Sequence, residues 1–126
     1  MIEKIKETFI KDSIKDLEVI ENLVREKKGE LEDCIIEKVF AIAHNIKGTA
    51  PMLGIESVDH IVKPMELVYS GLRDGSIASS SEIVSNTQKL IPVIKSELLQ
   101  TQQHQIDKND VNDTLRFFDS LITKNA

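Results

Sequence analysis

The chain has 126 residues and a net charge of −5, with 40% hydrophobic and 29% charged residues. This length and composition are typical of one soluble globular domain, spanning residues 1–126, that buries a core of its own. No basic run is present, which argues against a nucleic-acid-binding surface. The single cysteine, Cys34, excludes an internal disulfide and suits a reducing compartment. We expect it to be a small buried side chain.

The first quarter of the chain predicts one long helix. Apolar residues recur in steps of three and four over about 2–28, and Gly29 follows a basic last turn. The pair Asp12-Ser13 is a candidate break that would cap a second helix. The next helix is predicted from about Glu30 to Leu53, with Gly54 as its C-cap. Pro51 predicts a kinked or shortened last turn, because proline has no backbone N–H.

Two further helices are predicted in the middle of the chain. One covers about 57–74, contains Pro64 and ends at Gly75. The other covers about 80–104 and contains Pro92. Both prolines are local violations of the helical pattern.

The remaining signals complete an all-helical chain. Ser79 with Glu82 forms the pattern of a capping box for the fourth helix, and the polar segment 100–105 is interpreted as a helix end and loop. A last helix is predicted over Asp110–Lys124. No segment alternates as a strand does. The predicted fold is an all-α, antiparallel, up-and-down four-helix bundle with one additional helix.

The segment AHNIKGTAPMLG, residues 43–54, contains one of only three histidines. On a helical wheel at about 100° per residue, His44 lies nearly opposite the apolar stripe of the second helix. It is therefore either a solvated histidine without a role or a side chain that a partner reaches from outside. The stripe consists of Ile35, Val39, Ile42, Ala43, Ile46, Ala50 and Leu53.

The neighbours of His44 favour the second interpretation. Gly48 lies one turn on and Ala41 one turn back, so small side chains flank the ring. Glycine within a helix costs about 1 kcal/mol relative to alanine, which a site requiring clearance would explain. Lys47 places an ammonium where it could meet an anion held on the ring. Phe40 is either an exposed docking contact or the rim of the core.

These residues resemble the signature of histidine-containing phosphotransfer (HPt) domains, His-x-(apolar)-Lys-Gly with a second glycine six residues further on. The stretch IKGTAPMLGIESVDHIVKPMELVYSGLRDG is similar to the N-terminal phosphotransfer domain of chemotaxis-type histidine kinases. The resemblance implies that His44, with Lys47 beside it, takes a phosphoryl group on Nε2. The group would come from a histidine kinase or a receiver domain and pass to an aspartate of a response-regulator receiver.

The same resemblance assigns a role to Glu66. In the chemotaxis type, a glutamate 22 residues after the histidine bonds the other ring nitrogen, and Glu66 stands at that position. A carboxylate that accepts from Nδ1–H fixes the tautomer and leaves the Nε2 lone pair free. The alternative is an ordinary residue at the edge of the apolar stripe. Where the chemotaxis type often has a second histidine, this chain has Lys63, which either adds charge to the site or is solvated. The expected partner-contacting residues are Phe40, Ala41, Gly48, Pro51, Met52 and Lys63.

Other chemistry is not indicated. His60 and His104 lie away from His44 on the wheels, and no HxxxH or HExxH occurs, so we expect no metal site. Asp107, Asp110 and Asp113 are explained by capping and the helix dipole. No glycine-rich phosphate loop is present, so we expect no cofactor, no bound ATP and no kinase activity.

The remaining expectations concern the setting of the protein. Without a leader or a run of about 18 apolar residues, we expect a cytoplasmic protein that does not enter membranes. We also expect a monomer, and no linker at either end favours a free-standing carrier. A competing hypothesis is a helical interaction protein that binds and inhibits a receiver or kinase without carrying phosphate. A bundle with an accidental motif is the third alternative.

Overall fold

The computed structural model describes residues 2–99 and 108–124 of the chain. Within these ranges it contains five α-helices, one 3₁₀ turn and no strand, which confirms the predicted all-α class. None of the described helices is both long and apolar enough to cross a membrane. The helices are α1 (Ile2–Arg25), α2 (Asp33–Thr49), α3 (Asp59–Asp74), α4 (Ser81–Leu99) and α5 (Lys108–Lys124), with the 3₁₀ turn at Pro51–Leu53.

Helices α1 to α4 form most of the core, and α5 packs on α3 and α4 and adds Phe118 to it. Helix α1 contacts α2 and α4, α2 packs most extensively on α3, and α3 contacts α4. Short connections make consecutive helices of this set antiparallel neighbours. Helix α5 lies against α3 and α4, with Phe118 fully buried. Because α2 and α3 share the largest interface, side chains on these two helices are held in a fixed relation to each other.

The core is aliphatic, with one buried tyrosine. Tyr69 is fully buried on α3, and its oxygen lies 2.7 Å from the Thr87 hydroxyl. The Thr87 hydroxyl donates its only hydrogen to the carbonyl of Ile83 at 2.7 Å, so Tyr69 is the donor to Thr87. Burial raises the pKa of Tyr69 to about 12. The other large, fully buried side chains are Phe118, Leu17, Ile20, Ile46, Ile55, Ile61, Met65, Ile83, Leu90, Ile91 and Ile94.

Two expectations about the first part of the chain are wrong. Helix α1 runs without a break through Asp12-Ser13 and ends at Arg25. Ser13 is buried on the face that continues to Leu17, so packing of this face overrides the local tendency of serine to begin a helix. Cys34 is exposed rather than buried, because it stands in the first turn of α2 on the side away from the core.

The end of α2 shows how Pro51 is accommodated. The α-helix ends at Thr49, and Pro51 begins the 3₁₀ turn, where the first N–H would have no partner within the turn and its absence costs none of the turn's hydrogen bonds. Gly54 then ends the turn with φ +82°, a left-handed conformation that favours glycine. The predicted shortening of the last turn is therefore confirmed, but the predicted helix end at Leu53 is wrong: α2 has Ala50 as its C-cap, and Gly54 caps the 3₁₀ turn instead.

The start of α4 differs from the predicted capping box. The backbone N–H of Ile83 donates to the Ser80 hydroxyl at 3.2 Å, so Ser80 rather than Ser79 caps the helix. The Ser79 hydroxyl instead donates to the carbonyl of Gly29 at 2.7 Å and accepts from the N–H of Leu31 at 3.1 Å. Ser79 thus ties the α1–α2 connection to the start of α4.

The two interior prolines do not end their helices. Helix α3 continues through Pro64 and α4 through Pro92, each with one backbone hydrogen bond fewer. The predicted extension of α4 to residue 104 and the polar segment 100–105 lie outside the described residues. The last helix begins at Lys108, two residues before the predicted Asp110.

Candidate functional site

The imidazole of His44 is on the outside of α2 and faces α3 with one edge. Its side chain is 66% exposed, and Nδ1 lies 3.1 Å from Oε1 of Glu66. A carboxylate oxygen only accepts hydrogen bonds, so the proton of the neutral ring is on Nδ1. This arrangement leaves the lone pair of Nε2 unprotonated, on a ring that is mostly open to solvent.

Glu66 is buried, although it carries a charge. It is only 7% exposed and stands among the core-facing residues of α3. Its Oε2 lies 3.2 Å from Nζ of Lys47, in an orientation that makes an ion pair without a well-directed hydrogen bond. A buried carboxylate is tolerated only when it is paired and hydrogen-bonded. His44 and Lys47 supply these partners from α2, so the carboxylate is fixed between the two helices.

Lys47 therefore has a partner within the protein. Its side chain is about one-third exposed, and its ammonium contacts Glu66. The sequence predicted an ammonium available to an anion on the imidazole. In the structure the Glu66 carboxylate contacts both His44 and Lys47. The Lys47 ammonium is thereby held one helical turn from His44.

The surface beside the ring is open. Gly48 is exposed, and a Cβ placed on it would meet nothing within 4 Å. No contact within the described residues therefore requires glycine at this position. Ala41 and Pro51 are also exposed, and Met52 presents an apolar side chain that is 83% exposed. Ala41 and Gly48 lie one turn before and one turn after His44, Pro51 and Met52 follow about two turns on, and none of these four side chains is charged.

A second group of side chains adjoins the ring, and sequence reasoning identified only one of its members. The rings of Phe40 and His44 are nearly parallel, 12° apart, with 5.8 Å between their centroids. The guanidinium of Arg73 lies 4.3 Å from the centroid of the Phe40 ring, and its Nε donates to Oε1 of Glu37 at 2.9 Å. Phe40 is half-buried and also packs on the core, so it lies at the core rim and at the site together.

The remaining predicted residues take no part in the hydrogen bond, ion pair or ring contact that His44 makes within the described residues. Lys63 is exposed on α3 and forms no ion pair with any residue that the structure describes. His60 is exposed at the start of α3, and His104 lies outside the described residues. Within 2–99 and 108–124, no group of three potential metal ligands is found. Asp113 pairs with Arg116 on α5, while Asp107 and the side chain of Asp110 lie outside the described residues.

Comparison with known proteins identifies the family of the chain. The family model of the Hpt domain matches residues 4–104. The chain is also similar to a protein of Helicobacter pylori (strain ATCC 700392 / 26695) named sensor histidine kinase CheAY, with 24% identity over 110 residues. That alignment covers 86% of this chain and 14% of the longer protein. Hpt domains act in phosphorelay signalling as phosphotransfer modules without kinase activity, between histidine kinases and receiver domains. Since the match covers most of the sequence, the chain belongs to the Hpt domain family.

Proposed function

We propose that this chain is a phosphotransfer intermediate in which Nε2 of His44 carries the phosphoryl group. The group arrives from a histidine kinase or a phosphorylated receiver domain and leaves to the aspartate of a receiver. One observation carries the proposal: the ring is exposed while its Nδ1 is held by the buried Glu66 carboxylate. Family membership supports the same reaction class.

The chemistry needs no proton transfer at the histidine. The Nε2 lone pair attacks the phosphorus of an aspartyl phosphate, the P–O bond to the aspartate breaks, and its electron pair leaves with the carboxylate. The Nδ1 proton stays on the ring, so the phosphorylated imidazole carries a positive charge that the Glu66 carboxylate neutralises. The reverse step returns the electron pair to Nε2. Phosphoryl transfer depends mainly on positioning and electrostatics, and the receiver supplies its own Mg²⁺.

The surrounding residues have distinct roles in this proposal. Glu66 fixes the tautomer, and Lys47 holds Glu66 while adding positive charge near the transferring group. Gly48 and Ala41 allow the active-site face of a receiver to approach the ring. Phe40, Pro51, Met52 and Lys63 contact that partner. We also propose that the protein acts in the cytoplasm as a monomer.

The test is phosphorylation of the purified chain. Wild-type protein, His44→Gln and His60→Gln are incubated with a phosphorylated receiver domain, and separately with a histidine kinase and ATP. We expect acid-labile phosphate on the wild type and on His60→Gln, since His60 is an exposed histidine away from the site, but not on His44→Gln. Label on His44→Gln at the wild-type rate would contradict the proposal. Binding to receivers without label on any variant would instead support the inhibitory interaction protein.

A further inference from the structure

The hydrogen bond to Glu66 is not sufficient to hold the His44 ring in one orientation. A single hydrogen bond of 3.1 Å tolerates a range of angles, so small concerted changes in the side-chain torsions of His44 and Glu66 tilt the ring without breaking the bond. The χ2 torsion of histidine is intrinsically broad, and 66% exposure of the side chain leaves little packing to restrict it. In-line attack requires the Nε2 lone pair to point along one direction. A second constraint on the plane of the ring would therefore serve the reaction.

Phe40 supplies a contact that acts on this plane. Its ring lies one turn before His44 on α2 and is nearly parallel to the imidazole, at 12° and 5.8 Å. Parallel, offset aromatic rings are a favoured arrangement, and a tilt of the imidazole plane would lose it. Because Phe40 is half-buried against the core, its ring is held in place more firmly than a fully solvated side chain would be.

Arg73 in turn holds Phe40. Its guanidinium covers the Phe40 ring at 4.3 Å, and its Nε is fixed by the Glu37 carboxylate at 2.9 Å. Arg73 stands seven residues after Glu66 on α3, about two helical turns along the same face. Helix α3 therefore reaches the imidazole twice, directly through Glu66 and indirectly through Arg73 and Phe40.

We propose that Arg73 is a positioning residue for phosphoryl transfer, acting through Phe40 to hold the plane of the His44 imidazole. This role rests on the proposed function of His44. A cation–π contact at an exposed site changes a conformational population about two- to fivefold. The rate of transfer is expected to fall by the same factor when the guanidinium is removed.

The experiment compares wild type with Arg73→Met, Arg73→Lys and the control Arg116→Met. Arg116 is an exposed arginine on α5 that pairs only with Asp113 among the described residues. Labelling rates are measured with a phosphorylated receiver domain and with phosphoramidate, a small donor that has no protein surface. Proton NMR of the His44 ring supplies a separate reading, since the ring current of Phe40 displaces the Hδ2 and Hε1 resonances.

We expect Arg73→Met to be labelled about two- to fivefold more slowly by both donors, with His44 resonances moved towards those of an unstacked histidine. Arg73→Lys keeps a cation over Phe40 and should recover most of the rate, while Arg116→Met should match wild type. Unchanged rates and resonances in Arg73→Met would overturn the proposal. Slowing with the receiver alone would overturn it too, since Arg73 would then be a contact for the partner. If the wild type takes no label, the proposed function fails and this role fails with it. If the wild type is labelled and Arg73→Met is unaffected, only the role of Arg73 fails.

Discussion

Gly48 offers one substitution that should raise stability and a larger one that should impair function. Its φ is outside the left-handed region. Among the glycines that the structure describes, only Gly54 and Gly75 have a left-handed φ. A Cβ at Gly48 would meet no atom within 4 Å. Gly48→Ala should therefore gain the helix propensity of alanine without a clash. Glycine costs up to about 1 kcal/mol in a helix interior, and about half of that is expected so close to the end of α2.

The gain is measurable by urea denaturation and by thermal unfolding. For a chain of this size, about 0.5 kcal/mol corresponds to a rise of roughly 2 °C in Tm. The slope of the unfolding free energy against urea should not change, because the folded and unfolded surfaces stay nearly the same. A destabilised Gly48→Ala protein would refute the inference that this position is free of contacts within the fold.

To impair phosphoryl transfer, a side chain larger than that of alanine is needed at position 48. Side chains one turn apart on a helix have Cβ atoms about 5–6 Å from each other, so Gly48→Glu brings a carboxylate and extra bulk beside His44. We expect transfer from a phosphorylated receiver to slow by about tenfold or more, which corresponds to about 1.4 kcal/mol of barrier.

Gly48→Gln separates bulk from charge and serves as the matched control. Loss of clearance should slow transfer from the receiver in both variants and leave labelling by phosphoramidate much less affected. Transfer from the receiver at the wild-type rate in Gly48→Glu would refute clearance as the reason for the glycine.

Three further predictions follow from contacts elsewhere in the structure. Glu66→Ala removes the acceptor for Nδ1–H, so nitrogen NMR should show mixed tautomers and transfer should slow about tenfold, the equivalent of one lost hydrogen bond; a pure Nδ1–H tautomer would contradict this. Gly71→Ala should destabilise by about 1–3 kcal/mol, because its Cβ would lie 2.5 Å from Cδ1 of Ile77; denaturation of Gly71→Ala with and without Ile77→Val should show partial relief. Tyr69 is the only tyrosine, with its pKa raised to about 12 by burial from 10.0. Since the unfolded chain loses this proton first, stability should fall by about 3 kcal/mol between these values, and tyrosinate absorbance appearing near pH 10 in the folded protein would contradict the burial.

The parts of the fold that the sequence predicts are those determined by helical periodicity. Apolar residues at steps of three and four indicate the helices, and the wheel of α2 places His44 away from the core, where the structure has it. Two of the errors concern serines, whose side chains can either cap a helix or make contacts elsewhere in the fold. Ser13 is buried within α1, and Ser79 bonds the α1–α2 connection rather than capping α4. In both cases contacts with distant residues decide the outcome.

The site residues likewise divide into those that the sequence indicates and those that it does not. His44, Lys47 and Gly48 fall on one short segment, and a resemblance to a known family was enough to add Glu66. The Glu37–Arg73 contact joins residues 36 positions apart, and a helical wheel gives no information on how α2 and α3 align. The repeat of seven residues between Glu66 and Arg73 was the one available signal, since it puts both on one face of α3.

In the proposed reaction the phosphoryl group resides on Nε2 of His44 because Glu66 occupies Nδ1. The most direct measurement is NMR of the phosphorylated protein labelled with ¹⁵N in its histidines, which identifies the nitrogen coupled to phosphorus. We expect phosphorus coupling at Nε2 of His44 and a retained proton at Nδ1. Coupling at Nδ1, or on another residue, would contradict it.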